Sequence, residues 1–121
     1  DDDQHPGPER VAQQALAAVR ALRANPLFHR IVEVDPELLL PYLLERPGRS
    51  QTAILDLLAS EITTAQDAGS IRSGDPDRLA RAVILATHGF ALSHQTMFTE
   101  SVTGDDLDDD LVAMIARFLA P

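Results

Sequence analysis

The feature of this sequence that most constrains its fold is the spacing of its apolar residues, which recur every three or four positions over most of the chain. Such spacing places apolar side chains along one side of an α-helix. The helical stretches are separated by the helix-ending signals Asn25-Pro26, Pro47-Gly48 and Gly69, and no useful length of alternating apolar and polar residues predicts a strand. We therefore predict an all-α fold, a bundle of about six helices.

Capping residues and prolines along the chain predict where these helices begin and end. Residues 1–8 lack apolar periodicity, which predicts a flexible lead-in or linker remnant, and residues 9–121 form one domain. Asp35-Pro36 and Asp75-Pro76 are typical helix starts, because aspartate caps the first turn and proline suits its first position. Pro41 predicts a kink or break after the first of these starts. Besides the helix that starts at Asp35, the predicted helices cover about 9–24, 26–34, 50–68, 76–98 and 106–120.

Composition excludes several classes of function. The chain has no cysteine, which excludes disulfides, thiolate nucleophiles and cysteine-based zinc sites. Its net charge is −9, and an acidic surface repels the phosphates of nucleic acids. No apolar run approaches the ~20 residues that span a bilayer, and no signal-peptide pattern is present. We expect a cytoplasmic protein that binds no membrane and does not itself bind DNA.

No constellation of catalytic or metal-binding residues stands out. His88 and His94 are six positions apart on one predicted helix, so they lie on different faces. The acidic run at 105–110 lacks the spacing of a calcium loop, and acids placed favourably in solvent at a helix N-terminus explain it better. Ser93 and His94 point about 100° apart, and no nucleophile elbow or phosphate-binding loop occurs. We expect no enzyme activity, no metal and no cofactor.

The predicted helix at 76–98 is apolar around nearly its whole circumference, and a helix of this kind is buried on all sides. A domain of 121 residues cannot easily surround it. We predict a homodimer in which the last two helices of each copy form a four-helix interface. The alternative is a deep groove within one chain. The predicted interface residues are Ile84, Leu85, His88, Leu92, Leu111, Met114, Ile115 and Phe118.

A few polar and aromatic residues set among packed helices indicate a small-molecule pocket. Tyr42 lies beside the Pro41 kink, Thr87 and His88 interrupt an apolar helix, and Phe28 lies in a short segment between helices. Each has an ordinary structural explanation when taken singly. Together they indicate a pocket, because small ligands commonly bind between helices that carry a few inward polar groups. The predicted ligand-binding residues are Phe28, Tyr42, Leu58, Ile62, Thr87 and His88.

The run GSIRSGDPDRLA at residues 69–80 resembles the turn between two long helices in the C-terminal domains of TetR-family transcription regulators. In those domains an A-x-x-G-x-I/L-R-x-G-D-P run commonly precedes a dimerising helix. Residues 35–43 and 48–51 are similar to segments of actinobacterial members of the family, and the similarity in helix order covers roughly residues 8–121.

This resemblance implies a function for the chain. It would be the ligand-binding and dimerisation domain of a bacterial TetR-like regulator, with a helix-turn-helix DNA-binding domain expected before Asp1. A small apolar effector would favour one arrangement of the helix at 9–24 and so change the operator affinity of the paired DNA-binding domains. DNA would be a partner only through that domain. The alternative is a helical dimerisation module with no small-molecule ligand.

Overall fold

The computed structural model describes residues 7–45 and 48–121, and for Tyr42 and Leu43 it describes the backbone alone. This part of the chain is all-helical and contains no strand, as predicted. None of its helices is long and apolar enough to cross a membrane. The helices are α1 (Gly7–Ala24), α2 (Pro26–Val34), α3 (Leu40–Leu44), α4 (Arg49–Asp67), α5 (Pro76–Ser93) and α6 (Gly104–Leu119), with short 3₁₀ turns at Pro36–Leu38 and His94–Met97.

Helix α1 begins at Gly7, two residues before the predicted start. Gly7 and Pro8 therefore belong to the helix, because a proline is tolerated in a first turn, where its absent N–H has no helical partner. The remainder of the predicted lead-in, residues 1–6, lies outside the described residues.

Side-chain caps begin α2 and α5. The Oδ1 atom of Asn25 accepts hydrogen bonds from the N–H groups of Leu27 at 2.9 Å and Phe28 at 3.2 Å, which starts α2. The carboxylate of Asp75 accepts from the N–H of Asp77 at 3.1 Å, which starts α5. A proline follows each cap in the first helical turn. The predicted start at Asp75-Pro76 is confirmed.

The helix predicted to start at Asp35 is different in the structure. The Asp35 side chain makes no cap hydrogen bond, and a 3₁₀ turn over Pro36–Leu38 follows it. Helix α3 begins only at Leu40, with Pro41 in its first turn. The reason is the ring of Pro41, which excludes the regular helical hydrogen bond to the preceding turn. The predicted break before Pro41 is therefore present, whereas the predicted cap at Asp35 was wrong.

Gly69 ends α4 in a left-handed backbone conformation, with φ of +78°. Its N–H donates to the carbonyl of Gln66 at 3.0 Å, and the N–H of Ser70 donates to the carbonyl of Ala65 at 2.9 Å. These two bonds define a Schellman motif. Because a side chain is strained at this φ, glycine is the residue that fits.

The core lies where α1 packs against α5 and α6, and where α4 packs against α5. Its side chains are small or branched aliphatics that recur on one face of each helix, as the sequence spacing predicts. The buried core residues are Val11, Ala12, Ala15, Val19, Leu55, Leu58, Ile62, Ile71, Leu79, Ala80, Val83, Leu111, Ile115 and Leu119.

Candidate functional site

An apolar cavity of about 180 Å³ lies between α1, α4 and α5. It arises because α1 and α4 each pack on α5 but make hardly any contact with each other, which leaves a gap above α5. The gap is lined by Val11, Gln14, Ala15, Ala18, Ile54, Leu57, Leu58, Glu61, Val83, Ile84 and Thr87. A concave, mainly apolar space with a few polar groups is typical of a small-molecule site.

Three polar side chains line this cavity, one from each helix: Gln14, Glu61 and Thr87. The Thr87 hydroxyl donates to the Val83 carbonyl in its own helix at 2.8 Å, so its proton is already engaged and its oxygen can still accept a hydrogen bond. The cavity can therefore hold an apolar body and offer a small number of polar contacts at its edge.

A second, more polar groove of about 330 Å³ continues along the seam between α1 and α4. The two spaces share Val11 and Glu61 as lining residues, so Glu61 lies at their junction. At the far end the helices come together: a Cβ atom on Gly7 would lie 2.9 Å from Ser70 Oγ and 3.1 Å from Ala65 Cβ. Helix α1 therefore touches the end of α4 there.

Four of the six predicted ligand-binding residues lie on α4 and α5. Leu58 and Thr87 line the apolar cavity together. Ile62 is wholly buried in the core one turn further along α4 and does not line the cavity. His88 is half-buried, with its Nε2 atom 3.4 Å from Nε2 of Gln51, and burial lowers the pKa of this imidazole.

The other two predicted ligand-binding residues lie elsewhere. Phe28 lines a separate small cavity of about 70 Å³ between α2 and the end of α5, together with Arg23 and His94. The side chain of Tyr42 lies outside the described residues.

The predicted interface residues divide into three groups by exposure. Leu85, Met114 and Phe118 are exposed, by 71%, 50% and 37% respectively. Leu111 and Ile115 are buried inside this chain, where they face α1 as part of the core, so they present no free surface to a partner. The other three predicted interface residues are half-buried: Ile84, His88 and Leu92.

A buried carboxylate joins α1 to α6, and its burial was not predicted from the sequence. Asp108 is 3% exposed. One of its oxygens lies 3.0 Å from Nη1 of Arg23, and the other lies 3.3 Å from Nε of Arg20. The acidic run at 105–110 was predicted to lie in solvent, and for Asp108 this prediction was wrong. Its spacing could have shown this, because Asp108 precedes Leu111 by three residues and so shares the core-facing side of α6.

His94 completes this polar cluster. Its Nε2 atom lies 3.8 Å from Asp108, and its ring packs edge-on against Phe98 with centroids 4.5 Å apart. Burial and the nearby Arg23 lower the pKa of His94, and Asp108 opposes them only in part. His94 is therefore held neutral beside the ion pair. The structure brings together no group of three histidine or acidic side chains that could hold a metal, within the residues it describes.

Comparison with known proteins relates this chain to transcription regulators. It is 39% identical over 77 residues, 64% of its length, to proteins named as uncharacterized HTH-type transcriptional regulators in Mycobacterium tuberculosis and Mycobacterium bovis. The chain spans 40% of the length of these relatives. No family model and no solved structure matches. The relatives support a regulatory role in transcription.

Proposed function

We propose that this chain is the effector-binding and dimerisation domain of a cytoplasmic TetR-like transcription regulator. The observation that carries the proposal is the apolar cavity walled by α1, α4 and α5. It is supported by the relationship to helix-turn-helix regulators and by the resemblance of residues 69–80 to TetR-family domains. In this proposal the chain binds a small molecule and carries out no chemistry on it.

Helix α1 is the element through which binding would be transmitted. It supplies four of the cavity-lining residues, Val11, Gln14, Ala15 and Ala18. On its opposite flank Arg23 and Arg20 hold Asp108 of α6. A ligand that fills the gap between α1 and α4 favours one position of α1, and the ion pair carries that position to α6. DNA-binding domains joined to α1 would then change their spacing across the dimer.

The dimer itself is proposed through α5 and α6. Leu85, Met114 and Phe118 expose large apolar surfaces on these two adjacent helices. A second copy would cover them in a symmetric contact, in which the same face of each chain meets its copy. The three residues need no rearrangement of the core to become buried.

A thermal-shift screen of small apolar compounds, run on two variants, tests the ligand-binding proposal. Ala18→Phe adds a ring to an exposed position that lines the cavity, whereas Ala17→Phe adds the same ring to the neighbouring exposed position outside it. We expect compounds that raise the melting temperature of the native chain to act equally on Ala17→Phe and to lose their effect on Ala18→Phe.

Two results would contradict this proposal. Compounds that stabilise Ala18→Phe as well as the native chain would bind elsewhere. If no compound stabilised the native chain while the chain remained dimeric, the alternative of a dimerisation module without a ligand would explain the exposed apolar side chains of α5 and α6 better.

A further inference from the structure

Glu61 is the only formally charged residue in the described wall of the apolar cavity. It lies on α4, where the cavity meets the polar groove. The arginine–carboxylate pairs of the described chain involve Asp77 and Asp108, and none involves Glu61. Glu61 is partly exposed, so its carboxylate is hydrated, and a molecule that fills the cavity displaces part of that water.

The chemistry of the displacing molecule decides whether it can bind. An entirely apolar molecule would strip water from Glu61 and return no hydrogen bond, which is unfavourable for a charged group. A carboxylate would add repulsion between like charges. An ammonium or amidinium group restores the lost contacts with a charge-assisted hydrogen bond, which is among the strongest polar contacts available.

We infer that the effector of this cavity is a small apolar molecule that carries a cationic nitrogen, with Glu61 as its counter-ion. This inference rests on the proposed ligand-binding function and names the class of ligand. The volume of about 180 Å³ suits a single ring with a short side chain, since a cavity of about 150 Å³ is enough to hold benzene.

Arg10 defines the opposite possibility. It lines the polar groove on the far side of Glu61, and its Nε atom is buried without a hydrogen-bond partner. An anionic head group could therefore seek Arg10. Arg10 borders only the groove, and the two spaces meet at Val11 and Glu61, so an anionic group that reaches Arg10 from the apolar cavity has to pass the junction at which the Glu61 carboxylate lies. The geometry favours the cation.

Three probes with one shared body test this inference in the full chain. Phenethylammonium, 2-phenylethanol and 3-phenylpropanoate carry the same phenylethyl group and differ in the charge of the head. Each is titrated into isotope-labelled protein, and its dissociation constant is read from amide shifts of cavity residues such as Ala15, Leu58 and Thr87. The titrations are repeated with Glu61→Gln, with Arg10→Gln, and with Glu33→Gln as the same substitution at an exposed position on α2.

We expect the native chain to bind phenethylammonium at least about tenfold more tightly than 2-phenylethanol. Glu61→Gln removes this preference, whereas Glu33→Gln and Arg10→Gln keep it. Equal binding of the ammonium and the alcohol would overturn the inference and leave the ligand-binding function standing. If 3-phenylpropanoate bound most tightly and this binding were lost in Arg10→Gln, that result would also overturn the inference and leave the ligand-binding function standing. If no probe shifts the cavity amides, the proposed function fails together with the inference.

Discussion

Asp108 is the residue on which the junction between α1 and α6 depends. Its carboxylate is buried, and the two arginines that hold it come from the last turns of α1. An apolar replacement or a neutral amide leaves the arginines near a space built for a negative charge. The effect is moderated by solvent, because Arg20 is 57% exposed and Arg23 is 19% exposed.

Asp108→Asn is expected to lower the free energy of unfolding by about 2 kcal/mol, below the ~3–5 kcal/mol of fully buried pairs because both arginines keep access to water. Asp109→Asn, at the neighbouring exposed position, should change it by less than about 0.5 kcal/mol. Urea unfolding of the two variants checks this. Equal effects of the two substitutions would mean that the ion pair does not hold the helices together.

His94 and His88 predict how stability depends on pH. Both have a pKa below the ordinary 6.5 in the folded chain, chiefly because burial disfavours the charged imidazole. The unfolded chain therefore binds protons first as pH falls. The contribution of these two histidines to the free energy of unfolding is complete above about pH 6.5. It declines as the pH falls from 6.5 toward their lowered pKa values in the folded chain.

Urea midpoints measured between about pH 7.5 and 5.5 should fall with pH in the native chain and stay flatter in the double variant His88→Gln, His94→Gln. Only the slope is diagnostic, since either glutamine can shift the absolute stability. The same pH dependence in the native chain and in the double variant would show that the two histidines do not cause it.

At the scale of the helices, two glycines of α4 and α5 have opposite roles. Gly69 ends α4 at φ +78°, and no atom lies within 4 Å of a Cβ placed there, so its requirement is one of backbone conformation alone. Gly89 lies within α5, where a Cβ also meets open space. Glycine inside a helix costs stability relative to alanine, whereas glycine at a left-handed position does not.

Gly69→Ala should therefore lower the free energy of unfolding by about 1 kcal/mol, and Gly89→Ala should raise it by about 0.5–1 kcal/mol. Thermal unfolding of both variants, followed by circular dichroism, checks the opposite signs. Destabilisation by both would place Gly89 in a contact that has no room for a methyl group.

At the scale of the helices, the sequence predicts local features such as helix ends better than contacts between distant residues. The Asp75-Pro76 start and the Gly69 end of α4 were predictable because a cap and a turn are local events. Asp35 looked the same in sequence, yet Pro41 six residues later prevents a regular helix there. The three-residue spacing of Asp108 from Leu111 could have placed its side chain on the core-facing side of α6, whereas its partner Arg23, far away in sequence, could not be predicted.

The cavity was predictable only in part for a similar reason. Leu58 and Thr87 were found because they lie on inward faces of α4 and α5. Ala18, Ile54 and Glu61 were not, because they are lining residues only where α1 stands away from α4. Helical periodicity predicts the direction in which a side chain points. It does not predict the distance between two helices, such as α1 and α4, that both pack on a third.

At the scale of the whole molecule, the exposed apolar side chains of α5 and α6 predict association. Leu85→Glu should convert the proposed dimer into monomers, because a charge would be buried without a partner in a symmetric contact. Leu44→Glu is the matched control, since Leu44 on α3 is 77% exposed and Leu85 is 71% exposed. Sedimentation velocity at micromolar concentration distinguishes them. Dissociation by Leu44→Glu alone would move the interface to α3.

The central claim is that this chain is a paired sensor with a small molecule held beside α1. Native mass spectrometry of the purified chain tests it most directly, because one spectrum reports the assembly state and any retained ligand. The predicted result is a dimer that binds phenethylammonium when this probe is added, with the adduct lost in Ala18→Phe and kept in Ala17→Phe. A monomer at micromolar concentration that takes up no probe would contradict both the interface and the cavity.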